Sequence, residues 1–236
     1  MTIEIKGFIQ NTLIDWEGTI ASIIFLPNCN FNCPYCHSAA LVKNSSILDT
    51  IDKSVVINFL KQKKKWIDGL VITGGEPTIY QELPSFIKEF KDIGIKIKLD
   101  TNGSNPDMLE NLIKNNLIDY VAMDIKAPII KEKYNVAAGV EVNLENIKKS
   151  KDILMNSNID YEFRTTFSKA WLTKEDLLDI AELIKGAKRW RLQKFKLPET
   201  GVIDNNIAKD VIEFTAQEIE ENLIEFKKYV LDCKVR

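Results

Sequence analysis

Thr19-Ile-Ala-Ser-Ile-Ile-Phe-Leu-Pro-Asn-Cys-Asn-Phe-Asn-Cys-Pro-Tyr-Cys36 joins an apolar, β-branched run to a loop carrying three cysteines. Residues Thr19 to Leu26 read as a strand, because β-branched side chains suit a pleated, buried surface. Cys29, Cys33 and Cys36 follow at C-x3-C-x2-C spacing, one thiolate short of a closed metal site. An iron–sulfur cube has four irons, each normally held by a Cys thiolate, so three cysteines in one loop leave one iron free for another ligand. Structural zinc is the competing reading, but Cys36 and His37 are neighbours and would struggle to point at one tetrahedral ion. A disulfide finds no support in the N-terminus, Met-Thr-Ile-Glu-Ile-Lys, which lacks a signal peptide. Cys233, near the other end of the chain, reads as a free or packed thiol. The cysteines alone favour an open cluster over zinc and leave both standing.

Outward from this stretch, strand and helix signals alternate. Helical periodicity from about Ile51 to Trp66 precedes a short strand, Gly69 to Thr73, and a helix from about Leu83 to Ile93. Ile95, Ile97 and Leu99 then alternate with Lys96 and Lys98, the period of a strand. Asn105-Pro106-Asp107 opens a helix to about Asn116, with proline near its first position. Strands are expected at Tyr120 to Ile125, Tyr161 to Phe167 and Trp190 to Leu197, and a helix at Leu144 to Asn156. Thr173-Lys-Glu-Asp176 has a capping-box pattern and opens a helix to Ile184; Thr215-Ala-Gln-Glu218 opens another. Val230 to Val235 reads as a closing strand. Six strand-then-helix units in series imply an α/β fold with a parallel sheet and helical crossovers, either doubly wound or curved into a partial barrel.

The 236 residues, 45% of them hydrophobic, are expected to form one domain, 1–236. A formal charge of −2 gives no electrostatic reason for nucleic acid, and lysine runs such as Lys63-Lys64-Lys65 fall on helical stretches as solvated faces. No apolar stretch approaches the roughly 20 residues of a membrane span. The chain reads as soluble and cytoplasmic.

In either sheet architecture ligands gather at the carboxyl ends of the strands. The unusual residues fall there: the cysteine loop, Thr73-Gly74-Gly75-Glu76-Pro77, Asp100-Thr101-Asn102-Gly103, Met123-Asp124-Ile125-Lys126-Ala127-Pro128, Arg164 with Thr165 and Thr166, and Gln193 with Lys196. Each alone passes as a turn or a surface charge; together they make a polar rim. Paired glycines let backbone approach a small molecule and offer carbonyls to an ammonium group. Lys126 and Arg164 suit a carboxylate, and Arg164 points inward if its neighbour Phe163 packs on helices. Ammonium plus carboxylate is the α-amino-acid end of a ligand, which could chelate an open iron.

These residues resemble the radical S-adenosylmethionine enzymes, whose signature is C-x3-C-x-aromatic-C. Tyr35 fills the aromatic position, and Gly74-Gly75-Glu76-Pro77 matches the second motif. Within that superfamily Cys33-Pro34-Tyr35-Cys36-His37, Asp100-Thr101-Asn102-Gly103 and Asp124-Ile125-Lys126 are similar to the glycyl-radical activating enzymes. The segment Met123 to Pro128, with Leu192-Gln193-Lys194-Phe195, looks most like the activating proteins of anaerobic ribonucleoside-triphosphate reductase. The likeness runs from about Ile14 to Lys196.

The resemblance implies a partial (β/α)6 barrel. It implies a 4Fe–4S cluster on Cys29, Cys33 and Cys36, and reductive cleavage of S-adenosylmethionine to a 5′-deoxyadenosyl radical that takes hydrogen from a glycine of a partner enzyme. It places Gly74, Gly75 and Glu76 at the methionine amino group, Lys126 and Arg164 at the carboxylate, and Tyr35 and Ser38 beside adenine. Asp100, Thr101 and Asp124 match a monovalent-cation site beside the cofactor. Where relatives carry a histidine on the sixth strand, Lys196 is the nearest equivalent; where they carry Asn after Cys-His, this chain has Ser38. The implied partners are a glycyl-radical enzyme, foremost anaerobic ribonucleotide reductase, and a flavodoxin- or ferredoxin-type electron donor. An activator of a pyruvate formate-lyase-like enzyme, a small-molecule enzyme of the 7-carboxy-7-deazaguanine synthase type and a zinc-binding interaction module are the alternatives.

Overall fold

The computed structural model describes residues 3–199, 201–204, 206 and 214–236. A β-hairpin opens the chain, with strands β1 (Gly7–Thr12) and β2 (Ala21–Leu26). After the cysteine loop come helices α1 (Ala39–Lys43) and α2 (Lys53–Lys63), strand β3 (Gly69–Gly74), helix α3 (Leu83–Lys91), strand β4 (Lys96–Thr101) and helix α4 (Pro106–Lys114). Strand β5 (Tyr120–Asp124) precedes helices α5 (Lys131–Ala138) and α6 (Leu144–Asn156). Strand β6 (Asp160–Phe167), helix α7 (Lys174–Leu183), strand β7 (Arg189–Lys194), helix α8 (Ala216–Phe226) and strand β8 (Asp232–Val235) complete it.

All eight strands form one sheet in sequence order. Strands β2 to β8 run parallel, and β1 lies antiparallel on β2 at the edge. The sheet curves into a partial barrel without closing, so the second of the two expected architectures holds. Asn105 caps α4 through Met108 N–H with Pro106 at the first turn, and Thr173 and Thr215 each form a reciprocal capping box, with Asp176 and Glu218.

Three elements were not expected. Strand β1 is half-exposed along its length, with polar residues around Phe8 and Ile9, so it lacks the apolar run of an interior strand. Helices α1 and α5 are short, and α5 buries only Tyr134, Ala137 and Ala138 among charged residues, which leaves no clear helical period.

The sheet has two differently filled faces. Its outer face packs against the helices through the main core, with Ile24, Leu26, Leu70, Ile72, Ile97, Leu99, Phe163 and Trp190 all buried. The inner face divides. On β2 and β3, Ala21, Ile23 and Val71 pack with Trp16 and Tyr120 in a separate apolar cluster. From β4 onward charged residues enter the inner face, with Lys98 and Asp100 on β4, Asp124 on β5, Glu162 and Arg164 on β6 and Arg191 on β7. Lys98, although it alternates with isoleucine and leucine as a solvent-facing residue would, is 1% exposed. Its Nζ lies 3.5 Å from Asp100 and 3.6 Å from Glu162, and it donates to the Asp15 carbonyl. Arg191, also buried, reaches Glu17 at 2.9 Å and Asp232. Glu17, in the hairpin loop, also pairs with Lys234 and Arg236, tying the first loop to the last strand across the open side of the barrel.

Cys233 faces the main core beside Trp190, and burial pushes its thiol up to about 12. Among the described residues no helix is long and apolar enough to cross a membrane.

Candidate active site at the strand ends

A cavity of about 520 Å³ opens at the carboxyl ends of the parallel strands, within the usual range for small-molecule sites. Its lining brings together Cys29, Cys33, Cys36, Tyr35 and Ser38 from the first loop, Gly74 at the end of β3 with Gly75 and Glu76 after it, Asp100 and Thr101 on β4, Asp124 at the end of β5 with Lys126 after it, and Arg164 on β6. Lys196 does not join them. It lies exposed beyond the end of β7, and Gln193 and Lys194 line the cavity in its place. The expected stand-in for a strand-end histidine is therefore corrected: the strand stops at Lys194, and Lys196 has left the inward-facing register.

The cysteine loop is held by backbone contacts from three directions. Asn28 N–H donates to Leu41 C=O in α1, Asn32 N–H donates to Ala138 C=O at the end of α5, and Asp204 N–H donates to Pro34 C=O. Gly139, in the left-handed region at φ 68°, ends α5 where any Cβ would sit 2.0 Å from the Asn32 carbonyl oxygen. Helix α5, which sequence reading missed, is thus a buttress for the thiols.

The paired glycines serve the same loop. A Cβ on Gly74, at φ 123°, would meet Leu26 backbone at 2.2 Å, and one on Gly75 would meet the Asn28 carbonyl oxygen at 1.7 Å. Gly75 N–H and Glu76 N–H donate to the Leu26 and Asn28 carbonyls. A close approach that requires glycine is thus made to the chain's own backbone, and both glycines also line the cavity. Glu76 is fully buried, and its carboxylate accepts from Thr78 N–H, Thr78 Oγ1, Thr101 Oγ1 and Asn102 N–H at 2.6–3.0 Å. It fastens the loop after β3 to the end of β4, while burial pushes its carboxyl up against those bonds.

The opposite wall carries matched charges. Arg164 donates from Nη1 to Asp100 and from Nε to Asp124, both at 2.8 Å, and Lys126 reaches the second oxygen of Asp124 at 2.9 Å. Phe163 packs in the main core and Arg164 points inward, as its alternation with Phe163 suggests. Burial would push the Asp124 carboxyl up, but Arg164 and Lys126 outweigh it and hold the group down to about 2. Asp100 and Asp124 thus face three side-chain cations, Arg164, Lys126 and Lys98, and the Thr101 hydroxyl is taken by Glu76.

The thiols differ. Burial pushes Cys29 up to about 12 and raises Cys33 and Cys36 as well. Thiols in such a setting ionise only when a strong cation joins them, which is what ligation to iron supplies. Among the described residues no three His, Cys, Asp or Glu side chains gather tightly enough for a single ion. The three cysteines share one cavity and are one thiolate short of a closed tetrahedral set, so the donors fit a multi-iron cluster better than zinc. Tyr35 is buried, stacked on Trp171 with ring centroids 4.8 Å apart, and its hydroxyl has no hydrogen-bond partner among the described residues.

Comparison with known proteins agrees with this arrangement. The model of the Radical SAM superfamily matches residues 23–184. A Methanocaldococcus jannaschii protein provisionally named a glycyl-radical enzyme activating enzyme is 35% identical over 197 residues, covering 81% of this chain and 80% of that protein. A Sulfolobus acidocaldarius protein provisionally named a GTP 3′,8-cyclase is 31% identical over 127 residues, 51% of this chain and 40% of that protein. Among solved structures, Streptococcus suis SuiB aligns with a TM-score of 0.67 at 13% identity, over 89% of this chain and 47% of SuiB, a likeness of fold alone.

Proposed function

Because the chain belongs to the radical SAM superfamily, which uses a 4Fe–4S cluster and S-adenosylmethionine, we propose that it activates a glycyl-radical enzyme. In this reading the cofactors supply a 5′-deoxyadenosyl radical, made by one-electron cleavage of the sulfonium, which removes hydrogen from a backbone glycine of the partner. The carrying observation is the division of one cavity into a wall of three thiols, Cys33 buried and Cys29 and Cys36 half-buried, and a wall of paired charges. The likeness to the M. jannaschii protein over most of both chains supports activation of a glycyl-radical enzyme. The motifs at Met123 to Pro128 and Leu192 to Phe195 favour anaerobic ribonucleoside-triphosphate reductase as the partner.

Cys29, Cys33 and Cys36 would hold three irons, since the remaining cysteine, Cys233, is buried in the main core. The carbonyls of Gly74 and Gly75 would accept from the amino group of S-adenosylmethionine. Arg164 and Lys126 would hold its carboxylate by exchanging part of their contact with Asp100 and Asp124. A zwitterion brings no net charge, so a wall whose own charges cancel can receive it without a large desolvation penalty. Tyr35 and Ser38 would border adenine. A monovalent cation at Asp100, Thr101 and Asp124 would find three of the four carboxylate oxygens taken by Arg164 and Lys126, with Asp100 Oδ1 left without a hydrogen bond among the described residues to receive it.

The test is anaerobic reconstitution followed by mixing with the candidate reductase, a flavodoxin- or ferredoxin-type donor and S-adenosylmethionine. A glycyl-radical doublet in the electron paramagnetic resonance spectrum of the reductase is expected. Cleavage of S-adenosylmethionine with no such doublet on any glycyl-radical partner would overturn activation and leave a small-molecule reaction.

A further inference from the structure

The Asn102 side chain is 6% exposed and lies between the Glu76 hub and the cysteine loop. Its amide orientation is fixed by its neighbours. Oδ1 accepts from Ser104 N–H at 2.9 Å, so Nδ2 must face the other way. One Nδ2 proton goes to Asn30 Oδ1 at 2.9 Å, and Asn30 is in turn fixed by donating from its own Nδ2 to Ser104 Oγ at 2.8 Å. The second Nδ2 proton is left for Cys29 Sγ, 3.9 Å away and within reach of a large sulfur. Phe31 N–H reaches the same sulfur at 3.3 Å. Backbone donors come with the loop, whereas the Asn102 contact is one that a substitution can remove.

We propose that Asn102 is a positioning residue that raises the reduction potential of the cluster by donating a side-chain N–H to the Cys29 sulfur. The inference rests on the reading of Cys29 as a cluster ligand. Reduction adds negative charge that spreads onto the cysteine sulfurs, so a donor aimed at one of them stabilises the reduced form more than the oxidised form. The donor is held on three sides by Ser104, Asn30 and the Glu76 carboxylate, which accepts from Asn102 N–H at 2.6 Å. Little ordering is left to be lost when the sulfur becomes more negative. The same hub ties Gly-Gly-Glu-Pro to the cysteine loop, so the potential is set from the motif that borders the cofactor's amino group.

The test is a redox titration of reconstituted wild-type, Asn102→Leu, Asn102→Ala and Asn146→Ala proteins, followed by electron paramagnetic resonance without S-adenosylmethionine. Asn146 Nδ2 donates to Ser104 C=O at 3.0 Å, so Asn146→Ala loosens the same turn without touching a sulfur. Both Asn102 variants are expected to shift to a more negative midpoint, with Asn146→Ala unmoved. An unmoved midpoint in a loaded Asn102 variant overturns the proposal, as does an equal shift in Asn146→Ala. Failure of both Asn102 variants to assemble a cluster while Asn146→Ala assembles one also overturns it, since a donor that only tunes is dispensable for assembly. A wild-type protein with no reducible cluster would instead defeat the assignment of the cysteines.

Discussion

The two walls of the strand-end cavity are built by opposite means. The charged wall sits on strands β4, β5 and β6, and every carboxylate there already meets a cation: Asp100 with Arg164, and Asp124 with Arg164 and Lys126. The cysteine wall sits on a loop, fixed by backbone hydrogen bonds from α1, α5 and the glycine turn, and its thiols are made harder to ionise by burial. On one wall cations already hold the carboxylates; on the other, burial keeps the thiols hard to ionise although Lys126 is near them. The difference assigns the ligands: metal belongs with the thiols, and a zwitterion belongs with the balanced charges.

The largest effect should come from removing a thiol. Cys33→Ala should lose the cluster almost entirely, from roughly four irons per chain to a small remainder, whereas Cys233→Ala should keep it and cost about 1 kcal/mol of stability. Iron and sulfide analysis checks both, and equal iron in the two variants would erase the distinction between loop and core cysteines.

Arg164→Ala attacks the other wall. It leaves Asp124 to Lys126 and Asp100 to the more distant Lys98, and removing one partner of a buried ion set costs about 3–5 kcal/mol. Denaturant unfolding of the apoprotein measures this, and a change below about 1 kcal/mol would mean the wall is not a matched set. Gly75→Ala tests how the walls are joined. Its Cβ would fall 1.7 Å from the Asn28 carbonyl oxygen, so about 2–3 kcal/mol is expected together with poorer cluster assembly.

Beneath the charged wall, Glu17 is held down to about 2, first by the hydrogen bond from Lys234 and then by Arg191. A depressed folded-state value means its contribution is present above the ordinary 4.5 and is lost as pH falls toward about 2. Its side chain is 52% exposed, so the contribution stays near or below about 1 kcal/mol. Stability curves of wild type and Glu17→Gln should therefore differ by that amount at neutral pH and converge on acidification. A gap that widens in acid would reverse the assigned sign.

Much of this was legible in the sequence, because apolar runs ending in polar clusters declare parallel strands and their rim. The six strand-then-helix units and both capping boxes follow from local patterns that tertiary packing reinforces. What escaped reading depends on contacts between distant residues. Alternation marks Lys98 as a strand residue but cannot show that the inner face of the barrel encloses it. The glycine pair signalled a close approach but not its partner, which lies in another turn more than forty residues away. Lys196 was aligned by proximity in sequence, and only the end of β7 shows that it lies outside the cavity. Asn102 carried a signal in Asp100-Thr101-Asn102-Gly103, but its line to Cys29 needs the Glu76 hub to be visible.

The central claim is that three loop thiols hold an iron cluster with one iron left to the cofactor. Electron paramagnetic resonance of the dithionite-reduced, anaerobically rebuilt protein tests it, recorded with and without S-adenosylmethionine. The account requires a reduced-cluster signal that changes shape when S-adenosylmethionine is added. An unchanged signal, or tight zinc at about one ion per chain with no cluster signal, would contradict it.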